Sequence, residues 1–221
     1  MINFKINGLI LNKKNIKEKS AIISILTQEL GIIKIKIDGI NRPESKLLSV
    51  IQPGSFGRFF ISSDLNSFKI LSFLPLRIPY KIFKKFPYMY LFALRFLSFF
   101  NIYYTSADFF KNIIRIDIYL LKYKKVFLIW YLNLIFKELG VIPNLTNCYK
   151  CNILLDKLIY IKGSKLYCYR CKKISYDKID YQIYKKALFY LNNNLIFKIN
   201  DDKVVKFIKK IFLNHLKEIS L

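Results

Sequence analysis

All four cysteines of the 221-residue chain lie in one stretch, CYKCNILLDKLIYIKGSKLYCYRC, as two CxxC pairs separated by 16 residues. Each pair can turn two thiolates toward one point, and two such pairs supply the tetrahedral sulfur set that zinc prefers. The spacing falls within the range of zinc ribbons and zinc knuckles. Because cysteines would fill every ligand position, the site should be structural rather than catalytic. The predicted ligands of one zinc ion are Cys148, Cys151, Cys168 and Cys171.

Four thiols can also serve other purposes than binding zinc. An iron–sulfur cluster has the same ligand count, but paired knuckles around a hairpin favour zinc. Free thiols and redox pairs remain as alternatives. A chain of this length can bury a sizeable core without disulfides, and the opening MINFKINGLILNKK has no features of a secretory signal. We therefore expect a reducing, cytoplasmic location, where paired cysteines usually bind metal.

The first 75 residues read as five short β-strands. Isoleucines at 33, 35 and 37 alternate with Lys34 and Lys36, which is the period of a half-buried strand. A longer connection containing Pro43 precedes the fourth strand, and SSDLNS at 62–67 predicts a turn before the fifth. Five strands in this arrangement suit a small barrel of the OB-fold type.

From Pro75 onward the apolar pattern lengthens toward a helical period. One helix is predicted around 92–100, and a second from about Ile118 to an end at Gly140. A last helix, from Asp201, carries apolar residues three or four apart. The predicted fold class is α+β: an N-terminal OB-fold β-barrel in 1–76, followed by an α-helical domain in 77–221 that carries the zinc knuckle at about 146–174.

The net charge of +24 points to a polyanionic partner such as nucleic acid. Two strongly apolar runs, 89–104 and 126–136, are the candidates for a membrane location. Neither run offers 18 uncharged apolar residues, so buried helices are the better interpretation.

Basic residues interleaved with aromatics predict contact with single-stranded nucleic acid, since lysines neutralise phosphates and aromatic rings stack on bases. The first inter-strand loop of an OB barrel is a usual rim for such a ligand. The alternative is that these lysines only solvate one face of the protein. The predicted DNA-binding residues are Lys13, Lys14, Lys17, Lys19, Lys34, Lys36, Arg42, Lys46, Arg58, Lys81, Lys84 and Lys85.

Catalytic signals are sparse. His215 is the single histidine, and we expect it on the surface of the last helix. The seven glycines form no phosphate-binding loop, and the acidic residues are scattered. We expect a binding protein rather than an enzyme.

The order of these parts resembles a known family, the bacterial DNA repair protein RecO. Residues 8–47 are similar to the family's opening strands and basic stretch, and 27–31 to its T-E-G pattern. KELGVIPNLTNCYKC is similar to the segment that leads into the family's knuckle. The likeness covers about residues 1–175. The family's basic stretch usually holds consecutive arginines. Here one of these positions is Asn41, and only Arg42 remains.

The resemblance implies a recombination mediator in DNA repair. Family members bind single- and double-stranded DNA, anneal complementary strands, and contact single-stranded-DNA-binding protein through the helical domain. With RecR, and in some settings RecF, they assist loading of RecA onto coated DNA; the location would be cytoplasmic and nucleoid-associated. Two other classes stay open: a zinc-ribbon RNA-binding protein associated with the ribosome or transcription, and an enzyme with a structural zinc.

Overall fold

The computed structural model describes residues 2–63, 68–100 and 102–219. The chain divides into two compact units, Met1–Lys122 and Tyr123–Leu221. The strands of the first unit end at Arg77, but that unit also includes helices. The domain boundary predicted at 76/77 therefore stays a prediction. Residues 64–67 of the predicted turn at 62–67 lie outside the described residues.

Five antiparallel strands open the first unit, and β1 is the longest, at 16 residues. The order across the sheet is β3-β2-β1-β4-β5. The first half of β1 pairs with β4 and its second half with β2. Since β3 also lies next to β5, the sheet curls into a barrel, and the predicted OB fold is confirmed. The strands are β1 (Ile2–Lys17), β2 (Ser20–Thr27), β3 (Ile32–Ile37), β4 (Phe56–Ser63) and β5 (Phe68–Arg77).

The barrel core consists mainly of isoleucines from alternate strand positions, such as Ile23, Ile25 and Ile35, together with Phe59. The pairing of β1 with β2 shifts register between Ile10 and Asn12. This irregularity is a β-bulge, and it reverses the faces to which the later residues of β1 point.

The turn between β2 and β3 is built from the residues that resemble the family's T-E-G pattern. The Thr27 hydroxyl donates to the Gly31 carbonyl at 3.0 Å and accepts from the Leu30 N–H at 3.1 Å. Gly31 has φ of +61°. The neighbouring Ile32 N–H donates to the Ile102 carbonyl at 2.7 Å, so the turn is also joined to the segment that follows the barrel.

In the described part of the first unit, four helices follow the strands. Pro87 occupies the first turn of α2, where its missing N–H is tolerated. The Ser106 hydroxyl caps α3 by accepting from the Phe109 N–H. Arg77 and Asp117 form an ion pair, with 3.3 Å between Nη2 and Oδ1, that joins β5 to α4. The helices are α1 (Tyr80–Lys85), α2 (Pro87–Leu97), α3 (Ala107–Ile113) and α4 (Ile116–Lys122).

The second predicted helix is two helices, and this prediction was wrong. α4 ends at Lys122, and α5 (Phe127–Glu138) begins the second unit. Ile118 is 49% exposed, whereas Ile116 and Leu120 form the buried stripe of α4. The apolar residues of the two helices thus belong to separate stripes. The predicted end is correct: Gly140 has φ of +68°, as helix-terminating glycines do.

Among its described residues, the second unit also contains a three-stranded antiparallel sheet and two further α-helices. The sheet order is β7-β6-β8. Carboxylates cap both helices: Asp180 accepts from two backbone N–H groups of α6, and Asp201 from the Lys203 N–H of α7. The described helices include none long and apolar enough to cross a membrane. The elements are β6 (Ile159–Lys162), β7 (Lys165–Cys168), β8 (Asp177–Ile179), α6 (Tyr181–Asn192) and α7 (Asp202–Ile219).

Candidate metal centre and nucleic-acid interface

The four predicted ligand cysteines converge in the second unit. Their Sγ atoms all lie within 4.8 Å of one another, and those of Cys151 and Cys168 are 3.7 Å apart. A tetrahedron with metal–sulfur bonds of 2.3 Å has edges of about 3.8 Å. All four residues are free thiols rather than disulfides. The side chains therefore have the chemistry and nearly the spacing of a four-sulfur metal site.

The first CxxC turn is closed by backbone hydrogen bonds. The Asn152 N–H donates to the Cys148 carbonyl at 2.9 Å, and the Cys148 N–H donates to the Ile153 carbonyl at 2.8 Å. Asn152 has φ of +57°, a left-handed conformation that asparagine tolerates better than most residues. The second pair begins at the last residue of β7 and ends one 3₁₀ turn later, at Cys171.

The electrostatics of the thiols also fit a cation. Burial opposes ionisation of Cys148, but the backbone N–H groups of Cys168, Cys151 and Lys150 lower its pKa to about 6. Burial and hydrogen bonds with the other three thiols raise the pKa of Cys171 to about 12. The protein thus favours the thiolate of Cys148 and opposes that of Cys171, and a cation at the centre of the cluster would favour the thiolate of Cys171 as well.

The tip of the β6–β7 hairpin is held by α7. Ser164 donates to Glu218 through its hydroxyl at 2.6 Å and through its backbone N–H at 3.1 Å. Asn214 donates to the Gly163 carbonyl at 3.1 Å. His215 is half-buried and its Nε2 lies 2.6 Å from the Val141 carbonyl oxygen, so its expected surface position was wrong. Sequence periodicity alone gave no signal for this contact.

On the barrel, several predicted DNA-binding residues share the outward side of the sheet. Lys14 and Lys36 occupy one row across three strands, on either side of Ile22. Lys34 pairs with Ser24 in the next row, and it is exposed. Lys36 also forms an ion pair with Asp38 at 3.0 Å, which neutralises part of its charge.

A second outward row crosses β1, β4 and β5. Arg58 is exposed and lies opposite Asn7 on one side and Leu74 on the other. In the neighbouring row Lys5 lies opposite Phe60, with its Nζ 5.5 Å from the ring centroid. Lys5 was not among the candidates predicted from the sequence. Lys5 precedes Asn7, the partner of Arg58, by two residues on the same strand, so the strand register would have identified it.

Lys13 differs from its neighbours. It pairs with Ile23, which pairs in turn with Ile35, and both isoleucines belong to the barrel core. Cross-strand partners share a face, so the side chain of Lys13 leaves the strand on the inward face of the sheet. The residue is half-buried. Burial lowers the pKa of its ammonium group. The side chain of Lys17, the last residue of β1, lies outside the described part of the chain.

The remaining candidates lie on loops and on α1. The turn after β1 and the loop after β3 are adjacent, because the Asn41 side chain donates to Asn15 at 3.1 Å. That contact brings the segments carrying the exposed Lys19 and Arg42 together. Lys46 is exposed further along the same loop, and three exposed lysines of α1 follow the barrel. DNA contact by each of the twelve residues stays a prediction. The three lysines of α1 are Lys81, Lys84 and Lys85.

The barrel and the thiol cluster together define an OB-fold protein with a candidate four-cysteine metal site. Residues 1–74 match the family model described as Recombination protein O N terminal. Residues 1–74 therefore form a RecO N-terminal domain, and the resemblance of the sequence is confirmed over that part of the chain. The RecO N-terminal domain supports a role in recombination and DNA repair. A search of the curated proteins found no match to the chain.

Proposed function

We propose that this protein is a recombination mediator that binds DNA and anneals complementary single strands. The observation that carries the proposal is the RecO N-terminal domain, folded as an OB barrel with cationic residues on its outward side. Two complementary strands repel each other through their phosphates. Lysines and arginines on a protein surface displace condensed counterions and reduce that repulsion, with a strong dependence on salt.

The partners belong to the same proposal. We infer that the protein binds single- and double-stranded DNA and also contacts single-stranded-DNA-binding protein. RecR, and in some settings RecF, would join it in assisting RecA loading. Its role is non-enzymatic binding, and its location is cytoplasmic and nucleoid-associated. The four thiols hold a structural zinc ion, for which the sulfur donors and their spacing are suited.

The experiment is annealing of complementary oligonucleotides coated with the cognate single-stranded-DNA-binding protein, followed across a salt series. Acceleration by the wild-type protein that weakens steeply with salt is the expected result. Lys34→Ala and Arg58→Ala together should slow annealing, while Lys34→Arg and Arg58→Lys keep both charges and serve as the matched control. DNA binding without any acceleration at low salt would refute the mediator role. A preference for folded RNA at matched salt would favour the zinc-ribbon RNA-binding alternative.

A further inference from the structure

We propose that the cysteine knuckle carries a second contact surface for single-stranded DNA, separate from the barrel. The proposal rests on the proposed DNA-binding function and assigns part of it to the second unit. We call this surface the knuckle face. Its residues are the exposed Tyr149 and Tyr169 together with Lys162, Lys165 and Lys172. Tyr160 and Tyr167 belong instead to a buried cluster with Cys148.

The two sides of the small sheet differ sharply in chemistry. On one side Ile161 pairs with Leu166 and Ile159 with Ile179, and all four are buried. The alternate positions belong to the other side. There Tyr160 lies between Tyr167 and Lys178, and Lys162 lies opposite Lys165. One side therefore belongs to the core of the unit. The other carries lysines together with Tyr160 and Tyr167, whose rings are buried in a cluster with Cys148.

The charge of this side favours a polyanion. Like charges directly opposite each other weaken a sheet, yet Lys162 and Lys165 occupy such a pair. Residues 146–174 contain seven Lys+Arg and one acidic residue, Asp156. Glu218 of α7 is the acidic group that acts on Lys165. A phosphate backbone along this side would relieve the repulsion between the two lysines.

The lysines lie against tyrosine rings in a repeated pattern. Lys165 Nζ is 4.2 Å from the centroid of Tyr149. Lys172 Nζ is 4.7 Å from that of Tyr160 and 4.8 Å from that of Tyr169. An exposed cation–π contact is weaker than the stacking of a nucleobase on the same ring. A nucleobase can therefore stack on the tyrosine ring and displace the lysine ammonium group, which can then bind the adjoining phosphate.

Both knuckles present the same pair of side chains. The two CxxC motifs read CYKC and CYRC, so each contains a tyrosine followed by a basic residue. Tyr149 is 62% exposed and Tyr169 is 58% exposed. Large aromatic side chains held open on a cationic surface are the stacking platforms of single-strand binding, whereas duplex bases are already stacked on each other. This geometry selects single-stranded over double-stranded DNA.

The test uses the full chain and a fluorescently labelled oligodeoxythymidine, with binding followed by anisotropy. Tyr149→Ala with Tyr169→Ala should weaken binding about tenfold or more, because two base stacks are lost. Tyr149→Phe with Tyr169→Phe keeps both rings and should bind like the wild type. The affinity of the double alanine variant for a duplex of equal length should differ from that of the wild type by less than twofold. Unchanged single-strand affinity of the alanine variant, or an equal loss on the duplex, would overturn the proposal.

A second measurement needs no variant and so does not depend on how the variants fold. Oligonucleotides containing 5-iodouracil crosslink on irradiation to aromatic side chains that stack on the base. Crosslinks at Tyr149 or Tyr169 of the wild-type protein, located by mass spectrometry, are expected; crosslinks confined to the barrel would contradict the knuckle face. Arg58→Ala reports on the barrel independently. Weak binding by that variant with intact binding by the double alanine variant would overturn only this inference, whereas no binding by the wild type would overturn both.

Discussion

Gly31 shows how one residue controls the turn between β2 and β3. A Cβ at this position would lie 2.0 Å from the Ile102 carbonyl oxygen, and the backbone has φ of +61°. Gly31→Ala should therefore lower the free energy of unfolding by about 3 kcal/mol or more, through the left-handed conformation and the backbone clash together. Denaturant unfolding of the full chain, monitored by circular dichroism, would measure this loss.

Gly39 provides a matched control for that substitution. It also has positive φ, +76°, but a Cβ there would meet nothing closer than 3.6 Å, at the Arg42 side chain. Gly39→Ala should cost only the conformational term, about 1 kcal/mol. Equal losses in the two variants would show that the contact with Ile102 does not constrain Gly31.

Cys148 is the most buried of the four thiols, and its replacement tests the metal site. Cys148→Ser removes one thiolate ligand and should reduce bound zinc from about one equivalent to well below it. The melting temperature should fall, since metal binding contributes directly to folding of such sites. Elemental analysis and calorimetry measure the two effects, and Ser175→Ala, at an exposed position in the same segment, is the control. Metal-free wild-type protein with the melting temperature of the variant would contradict the prediction.

At the residue scale, the thiols could be predicted and the direction of Lys13 could not. Four cysteines in two CxxC pairs leave few alternatives, because the ligand chemistry is local in sequence. The direction of Lys13 depends on a bulge between Ile10 and Asn12. A one-residue shift exchanges the two faces of a strand. No composition or periodicity in β1 indicates that shift, so the inward position of Lys13 required the structure.

At the scale of elements, the hairpin of the knuckle is coupled to α7 through Glu218. Burial opposes the charged form of Glu218, but the two hydrogen bonds from Ser164, with Lys165 and His215 nearby, keep the pKa of its carboxyl below the ordinary value of 4.5. A carboxyl with a lowered pKa in the folded state stabilises the protein above its ordinary pKa. That stabilisation is lost as the pH falls through the folded-state pKa.

Glu218→Gln should therefore be less stable than the wild type at pH 7, and the two proteins should converge as the pH falls through the lowered pKa of Glu218 in the folded state. Because Glu218 is exposed, the expected difference is about 1 kcal/mol or less. Thermal unfolding at a series of pH values measures it. Asp156→Asn makes the same change of charge on an exposed residue of the knuckle and is the matched control. A difference that is constant with pH would show that the carboxylate charge is not involved.

Elements with a regular apolar period were predictable, and contacts between elements were not. The strands of the barrel and the stripe of α7 follow from alternation and from the three- or four-residue spacing. The separation of α4 from α5 was missed because apolar residues on both sides of Lys122–Lys125 could be joined into one apparent stripe. The anchoring of Ser164 by Glu218 joins residues 54 positions apart, which no local pattern encodes.

At the scale of the whole molecule, the net charge of +24 raises the question of whether DNA binding is specific to a surface or diffuse. A diffuse field would make every lysine equivalent. The barrel instead presents Lys14, Lys34 and Arg58 on outward rows set by strand register. If those residues contact phosphates, each contributes to counterion release, whereas a lysine remote from the DNA contributes little.

Replacing Lys14, Lys34 and Arg58 by alanine should make the slope of log affinity against log salt less steep by about 2 for single-stranded DNA, at about 0.7 for each phosphate contact. Lys203, Lys206 and Lys209, exposed residues of α7, provide a triple variant with the same change in net charge. Its slope should change by less than about 0.7, the value of one contact. Titrations from low to moderate salt with one oligonucleotide measure both slopes. Equal changes in the two triple variants would mean that net charge, rather than the outward rows of the barrel, determines DNA binding.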